Sequence, residues 1–162
     1  MTDDAGEGLR AKVLTVSDGV THGTREDRSG RALVEQLTAA GFEVVEHRTT
    51  PDGAAAVAEA LTEMAEDFAG LIVTTGGTGF APRDETPEGT RAVIEREAPG
   101  LAEAMRLVSP LGRLSRGIAG VRARAVVVNT PGSPAGCVEQ LGAILDVLPH
   151  ALRLAAGSPT TH

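Results

Sequence analysis

Residues Leu71–Glu88, with the sequence LIVTTGGTGFAPRDETPE, carry the clearest structural signal of the chain. The first four of them, LIVT, form a continuous apolar run, which is typical of a central parallel strand that is buried on both faces. A glycine-rich loop follows this run. Thr86-Pro87 then predicts a helix that begins with Thr as the N-cap and Pro at the first helical position. A strand, a polar loop and a helix in succession are the repeating unit of an α/β sheet.

The flanking sequence repeats this alternation of strand and helix. Apolar runs predict further strands at Lys12–Ser17, Phe42–His47 and Ala125–Val128, and apolar residues at three- and four-residue spacing predict helices between and after them. We therefore expect an α/β fold with three layers, α/β/α, in which helices cover both faces of a mainly parallel sheet. Residues 10–156 are expected to form one domain, with tails at 1–9 and 157–162. The predicted helices contain Leu33–Leu37, Ala54–Phe68, Thr86-Pro87, Leu101–Val108 and Val138–Leu148, the last of them interrupted or kinked by Pro149.

The composition excludes several classes of protein. The net charge is −7 and the chain has no Trp, no Tyr and three Phe, so neither nucleic-acid binding nor base stacking is expected. No stretch approaches the roughly 20 apolar residues of a membrane span, and the acidic amino terminus is unlike a signal peptide. The single cysteine, Cys137, excludes a disulfide framework and favours a reducing, cytoplasmic location.

Positive charge is concentrated late in the chain. Residues 1–110 carry 20 acidic and 10 basic residues, whereas 111–162 carry 2 and 5. The stretch Ala104–Val138 has no acidic residue and five arginines, which suggests a local site for a small anion. For any one of these arginines, a solvated surface position is the alternative. The five are Arg106, Arg113, Arg116, Arg122 and Arg124.

Three polar loops follow predicted strands, and ligands of open parallel sheets bind beyond the carboxyl ends of the strands. In the loop after LIVT, glycines would let backbone N–H groups approach a phosphate and threonines would add donors. A tight turn required only for folding is the alternative. The candidate residues in the three loops are Ser17 and Asp18; Thr75, Gly76, Gly77, Thr78, Gly79 and Arg83; and Pro131, Gly132 and Ser133.

Two aspartates accompany these loops. Asp84 follows the glycine loop and Asp52 starts the preceding helix, and a surface turn acid and a plain N-cap are the respective alternatives. Carboxylates beside a phosphate-binding loop are favourable mainly if a divalent cation bridges them. Magnesium binds in this way, through one or two carboxylates and substrate phosphates.

The run Leu71–Glu88 resembles the signature of the MoaB/Mog family of molybdenum-cofactor biosynthesis proteins. The similarity extends to Leu114-Ser115-Arg116 and to Asn129–Pro134 (NTPGSP), and the order of motifs matches from about Lys12 to Leu154. The resemblance implies a molybdopterin-binding-like fold, usually a homotrimer, and contact with other enzymes of cofactor synthesis. It also implies adenylylation of molybdopterin with Mg-ATP and release of pyrophosphate.

The resemblance also implies roles for individual residues. Asp84 and Asp52 correspond to catalytic, magnesium-binding aspartates, Ser115 and Arg116 correspond to the pterin-side loop, and Thr86 belongs to the substrate-binding set. Two other functions remain open. One is a module of the same family that binds molybdopterin or acts as a scaffold without catalysis, and the other is a mononucleotide-binding regulator.

Overall fold

The computed structural model describes residues 9–158, which form one six-stranded sheet with the strand order β2-β1-β3-β6-β5-β4. Neighbouring strands among β2, β1, β3 and β6 are parallel, and β5 and β4 form an antiparallel edge. The predicted, mainly parallel α/β sheet is therefore confirmed. The strands are β1 (Arg10–Val16), β2 (Glu43–Thr50), β3 (Gly70–Thr75), β4 (Arg96–Glu97), β5 (Ala119–Arg122) and β6 (Ala125–Thr130).

Helices lie on both faces of this sheet, which confirms the three layers. The helices are α1 (Asp18–Thr21), α2 (Arg28–Ala39), α3 (Ala54–Ala65), α4 (Thr86–Arg91), α5 (Pro99–Arg106), α6 (Pro134–Gly142) and α7 (Leu148–Ala155), and Pro110–Leu114 forms a 3₁₀ helix. Alternating residues of β3 show the arrangement: Leu71 and Val73 belong to one buried cluster with residues of α2, α5, α6 and α7, while Ile72 belongs to another with residues of α3.

Local boundaries differ from the predictions at two helices. Glu85 is the N-cap of α4, so Thr86 is the first helical residue rather than the cap. The predicted carboxyl-terminal helix is two helices, and Pro149 lies in the first turn of α7, where its missing N–H costs nothing, instead of kinking a continuous helix.

Three short elements, α1, β4 and β5, were not predicted from the sequence. The loop predicted after β1 begins with α1, in which the Ser17 hydroxyl accepts a hydrogen bond from Val20 N. The antiparallel strands β4 and β5 were also missed, because two and four residues are too few for a periodic signal.

The predicted tails lie mostly outside the described residues. Leu9, the last residue assigned to the amino-terminal tail, is buried in the core, which moves that boundary. Within residues 9–158, no helix combines the length and apolar character that a membrane crossing requires.

The strand order creates a crevice between β1 and β3. From β1 the chain moves to β2 on one side, and it then returns to β3 on the other side of β1. The loops that leave β1 and β3 therefore diverge from one another at their carboxyl ends, which is where open parallel sheets bind ligands.

Candidate functional site

A cavity of about 460 Å³ lies at this crevice. The ends of β1 and β3, the loops that follow β2 and β6, the glycine loop and the first residues of α2 and α6 surround it. Its volume suits a small-molecule ligand. The lining residues are Thr15, Val16, Ser17, Val20, Arg25–Ser29, Asp52, Thr75, Gly76, Gly77, Asp84, Gly132 and Pro134.

The glycine loop is held tightly where it enters the cavity. Gly76 and Gly77 have φ angles of +101° and +70°, a region that side chains rarely adopt. A Cβ atom on Gly76 would lie 2.3 Å from the carbonyl oxygen of Val16, and one on Gly77 would lie 2.2 Å from Thr86 Oγ1. Glycine is therefore required at both positions by the packing of the loop itself.

Hydrogen bonds join the glycine loop to the loop after β6 and to the start of α4. Gly76 N donates to Thr130 O at 3.1 Å, and Thr75 Oγ1 donates to Pro131 O at 2.7 Å, which ties the glycine loop to the loop after β6. Thr86 Oγ1 donates to Gly76 O at 2.8 Å and fixes the loop to the start of α4. The convergence of the loops that the strand-end pattern predicts is thus present in the structure.

Asp52 does not cap α3. The N-cap is Gly53, which makes no side-chain bond, and Asp52 is joined to Asp18 instead. Asp18 N donates to Asp52 Oδ2 at 3.0 Å, and Asp52 N donates to Asp18 Oδ1 at 3.1 Å. The other oxygen, Asp52 Oδ1, lies near the glycine loop, 3.4 Å from where a Cβ on Gly77 would be. The reciprocal pair thus holds Asp52 at the cavity with one oxygen facing the loop.

The surroundings of Asp52 disfavour its negative charge. Burial is the main cause of a raised pKa for this carboxyl, and the charges of Asp18 and Asp84 raise the pKa further. Asp84 lies at the other side of the glycine loop, where its Oδ2 accepts a hydrogen bond from Ala81 N at 3.0 Å. Two carboxylates therefore line one cavity and repel each other, an arrangement that a bound cation would relieve.

The donor set fits magnesium better than a transition metal. Within residues 9–158, no group of three or more His, Cys, Asp or Glu side chains is placed to hold a metal ion. Two carboxylates alone are a sparse protein site, but magnesium usually keeps several waters and takes its other ligands from substrate phosphates. Asp52 and Asp84 can serve such an ion.

Arg83 contacts the aspartates rather than the cavity. Its Nε donates to Asp18 Oδ2 at 2.7 Å, and its Nη2 donates to Asp52 O at 2.9 Å. The hydrogen bond from Arg83 is the main reason that the pKa of the Asp18 carboxyl is lowered. Arg83 thus bridges the glycine loop to the ends of β1 and β2.

Arg116 also holds the glycine loop in place. Its Nε donates to Gly79 O at 2.8 Å, its Nη2 donates to Asp84 O at 2.6 Å, and its Nη1 donates to Glu88 Oε2 at 2.8 Å. Neither Arg116 nor Ser115, whose hydroxyl accepts from Gly117 N, lines the cavity. In this structure Arg116 supports the glycine loop and the backbone of Asp84, and its role at the pterin-side loop stays a prediction.

The predicted site residues divide into two groups. Seven of them line the cavity: Ser17, Asp52, Thr75, Gly76, Gly77, Asp84 and Gly132. The others surround it and mostly support it through hydrogen bonds, as Ser133 does by capping α6 at Gly136 N. These are Asp18, Thr78, Gly79, Arg83, Thr86, Ser115, Arg116, Pro131 and Ser133.

Sequence reasoning missed the wall formed by residues 25–29. The central residue of this wall, Asp27, is the N-cap of α2 and accepts hydrogen bonds from Gly30 N and Thr15 Oγ1. His47 Nε2 lies 2.8 Å from Asp27 Oδ2. The available signal was the run REDRS shortly after the first strand, since the strand-end argument applies to this loop as it does to the glycine loop.

Cys137 contributes no nucleophile. Its side chain is fully buried between α2 and α6, and burial raises its thiol pKa to about 11. The thiolate that nucleophilic chemistry needs is therefore scarce at neutral pH.

Comparisons with known proteins identify the family of the chain. Residues 12–150 match the family described as a probable molybdopterin binding domain. The molybdopterin adenylyltransferase of Escherichia coli K12 is 39% identical over 146 residues, 85% of this chain and 74% of that protein. The molybdopterin adenylyltransferase of Helicobacter pylori J99 is 36% identical over 153 residues, 90% and 87% of the two chains.

A solved structure shares both fold and sequence. The crystal structure of the molybdopterin biosynthesis enzyme MoaB from Thermus thermophilus has a TM-score of 0.87 and 47% identity, covering 94% of this chain and 99% of that one. The similarity to MoaB/Mog proteins is therefore not confined to the glycine loop and its neighbours and extends over nearly the whole chain. The chain belongs to the MoaB/Mog family of probable molybdopterin binding domains.

Proposed function

We propose that this protein is a nucleotidyltransferase that adenylylates the terminal phosphate of molybdopterin with Mg-ATP and releases pyrophosphate, a step of molybdenum-cofactor biosynthesis. The observation that carries the proposal is that Asp52 and Asp84 line one cavity together with the Gly76-Gly77 turn. Relatives that are 39% and 36% identical to this chain are named molybdopterin adenylyltransferase.

The chemistry requires positioning and charge neutralisation. One oxygen of the molybdopterin phosphate forms a bond to the α-phosphorus of ATP. The bond from that phosphorus to the bridging oxygen breaks, and its electron pair leaves with pyrophosphate. No covalent nucleophile on the protein takes part, which agrees with the buried and protonated Cys137.

Asp52 and Asp84 would hold the magnesium ion, which supplies charge neutralisation to the phosphates when bound. The raised pKa of Asp52 supports this role, because the cation offsets the charge that burial and the neighbouring aspartates disfavour. The backbone of the glycine loop and the Ser17 hydroxyl group would orient the phosphates, while Thr75, whose hydroxyl donates to Pro131 O, would hold the loop in place. Asp18, Arg83 and Arg116 would act through the two aspartates and the loop.

The test is product formation. Purified protein, molybdopterin and Mg-ATP should yield adenylylated molybdopterin and one equivalent of pyrophosphate, and omission of magnesium should abolish the product. A protein that binds molybdopterin with normal stoichiometry but forms no product would instead be the non-catalytic binding module.

A homotrimer in the cytoplasm is part of the same proposal. Support for assembly comes from exposed apolar side chains within residues 107–114, where Leu107 is 83% and Leu111 is 74% exposed. The low cysteine content supports the location. A light-scattering mass of three chains, reduced by Leu107→Glu with Leu111→Glu, would support the trimer, and a mass of one chain in the unmodified protein would refute it.

A further inference from the structure

The cavity has a second charged wall, formed by residues 25–29. The roles proposed for Asp52 and Asp84 do not involve this wall. Arg25 and Arg28 are the two cationic residues that line the cavity, and both belong to residues 25–29. Within the described part of the chain, the Arg25 side chain has no partner. Arg28 Nε lies 3.7 Å from Glu26 Oε2, and these side chains are 78% and 70% exposed. Ion pairs this exposed contribute little, so both guanidinium groups are available to an anion.

The hydroxyl group of a largely buried serine lies beside the two arginines. Ser29 is only 8% exposed, lines the cavity and has no hydrogen-bond partner for its Oγ among residues 9–158. Ser29 is also the second residue of α2, where backbone N–H groups have no acceptor within the helix and the helix dipole favours negative charge. A ligand oxygen placed here could accept a hydrogen bond from a hydroxyl group that has no acceptor within residues 9–158.

The wall is held rigidly from behind by Asp27. Its Oδ1 accepts from Gly30 N at 2.9 Å, its Oδ2 accepts from Thr15 Oγ1 at 2.8 Å, and His47 Nε2 lies 2.8 Å from Oδ2. A Cβ on Gly30 would lie 2.4–2.5 Å from these three side chains, so the cluster closes only around glycine. Because its charge is shared among these donors, Asp27 repels an anion in the cavity less than a free carboxylate would.

This wall fits the most highly charged part of the nucleotide. The base and ribose of ATP are uncharged and need no cation, whereas the β- and γ-phosphates carry most of its negative charge. Arginine is the side chain best suited to such phosphates, because its planar fork donates two parallel hydrogen bonds. The exposed position of the arginines also suits a group that must leave to solvent after the transfer.

Resting on the proposed function, we infer that residues 25–29 form the subsite for the β- and γ-phosphates of ATP, which leave as pyrophosphate. Arg25, Arg28 and Ser29 are its binding residues, and Asp27 with His47 and Thr15 positions them. Asp52, Asp84 and the glycine turn, which line the same cavity, would then face the α-phosphate.

Calorimetric titration with magnesium pyrophosphate, ATP and AMP tests this assignment, because AMP lacks the two phosphates. In Arg25→Ala with Arg28→Ala, affinity for pyrophosphate and ATP should fall by about tenfold for each lost charge-assisted contact, and AMP affinity should stay within about twofold. Ser29→Ala should show the same selectivity with a smaller loss.

Two further variants sharpen the test. Glu26→Gln removes the anion beside Arg28 and should tighten pyrophosphate binding by about two- to threefold. Arg31→Ala is the matched control, because Arg31 is an exposed arginine of the same helix outside the cavity lining. It should bind all three ligands as the unmodified protein does.

Parallel losses for AMP and ATP, an equal loss in Arg31→Ala, or no measurable pyrophosphate binding by the unmodified protein would overturn the inference. Failure of the proposed function is a separate result. In that case the protein would bind ATP and pyrophosphate through these residues and form no adenylylated molybdopterin.

Discussion

Residues 25–29 and the acid-free stretch Ala104–Val138 are both rich in arginine, and the fold uses them differently. In the second stretch, Arg106 Nη1 donates to Gly117 O at 2.6 Å and Arg122 Nη1 donates to Val93 O at 3.1 Å. Arg116 binds the glycine loop in the same way. These arginines satisfy carbonyl groups of irregular backbone near the antiparallel edge. At residues 25–29, by contrast, neither Arg25 nor Arg28 donates a side-chain hydrogen bond to a backbone carbonyl within residues 9–158, and both arginines remain available at the cavity.

Local charge density therefore does not by itself identify a ligand site. A guanidinium group that lies beside unsatisfied carbonyl oxygens donates hydrogen bonds to them, because a buried carbonyl without a partner is costly. Substitution of the cavity arginines should consequently act mainly on ligand binding, whereas substitution of the edge arginines should act mainly through the positioning of the loop.

The largest effect is expected for Asp84→Asn. The variant keeps the shape of the side chain and an acceptor for Ala81 N, so it should fold and bind molybdopterin almost normally. Adenylyl transfer should fall about 10²–10³-fold, the typical cost of one preorganised electrostatic group. Product formed per minute at saturating Mg-ATP measures this effect, alongside a pterin-binding titration.

Asp67→Asn is the control for this variant. Asp67 is exposed at the opposite end of the sheet, and asparagine tolerates its φ of +49°. It should keep full activity. Turnover near that of the unmodified protein in Asp84→Asn would remove the metal-dependent mechanism and favour the binding module.

Gly77→Ala should destabilise the cavity side. Its backbone has φ +70°, and the new Cβ would lie 2.2 Å from Thr86 Oγ1, so we expect a loss of about 2–4 kcal/mol in the free energy of unfolding. Gly23→Ala has nearly the same φ, +76°, but open space around the Cβ, and should lose only about 1–2 kcal/mol. Urea unfolding of both variants separates the cost of the positive φ angle from the cost of the close contact with Thr86 Oγ1. Equal losses would show that the contact with Thr86 is unimportant.

Arg116→Ala tests the supporting role on the edge side. Loss of its bonds to Gly79 O and Asp84 O should release the glycine loop, weaken molybdopterin binding several-fold and lower turnover about tenfold. Arg124 lies in the turn before β6, at the end of the sheet away from the cavity, so Arg124→Ala should have little effect. Equal changes in the two variants would contradict the comparison.

The smallest effect is a stability gain from Asp52→Asn. The raised pKa of Asp52 means that its carboxylate destabilises the ligand-free fold at pH values above that pKa. After allowance for solvent screening, the variant should gain a few tenths of a kcal/mol at pH 7. The gain should disappear as the pH falls through the pKa of Asp52, which lies above its ordinary value of 3.8. Thermal unfolding at neutral and at acidic pH measures it, and a loss of stability at pH 7 would refute the raised pKa.

Several parts of the site could be predicted from the sequence. Because each of them lies at or after the carboxyl end of a predicted parallel strand, Ser17, Thr75 and Gly132 are predicted to share one rim of the sheet. The structure places all three at the cavity. The support roles of Arg83 and Arg116 could not be predicted, since their partners are Asp18 and Asp84 and no pattern in the sequence pairs those residues.

Sequence pattern alone was enough for the layered sheet and the position of the glycine loop, because strands buried on both faces must be apolar runs and loops must follow them. Which charged groups face the cavity depended on the tertiary structure. Thr15, Asp27 and His47 meet across 32 residues of chain, and Arg116 meets Gly79 across 37. Contacts of this kind depend on the strand order and on which backbone carbonyls remain unsatisfied after folding, and neither quantity leaves a periodic signal in the sequence.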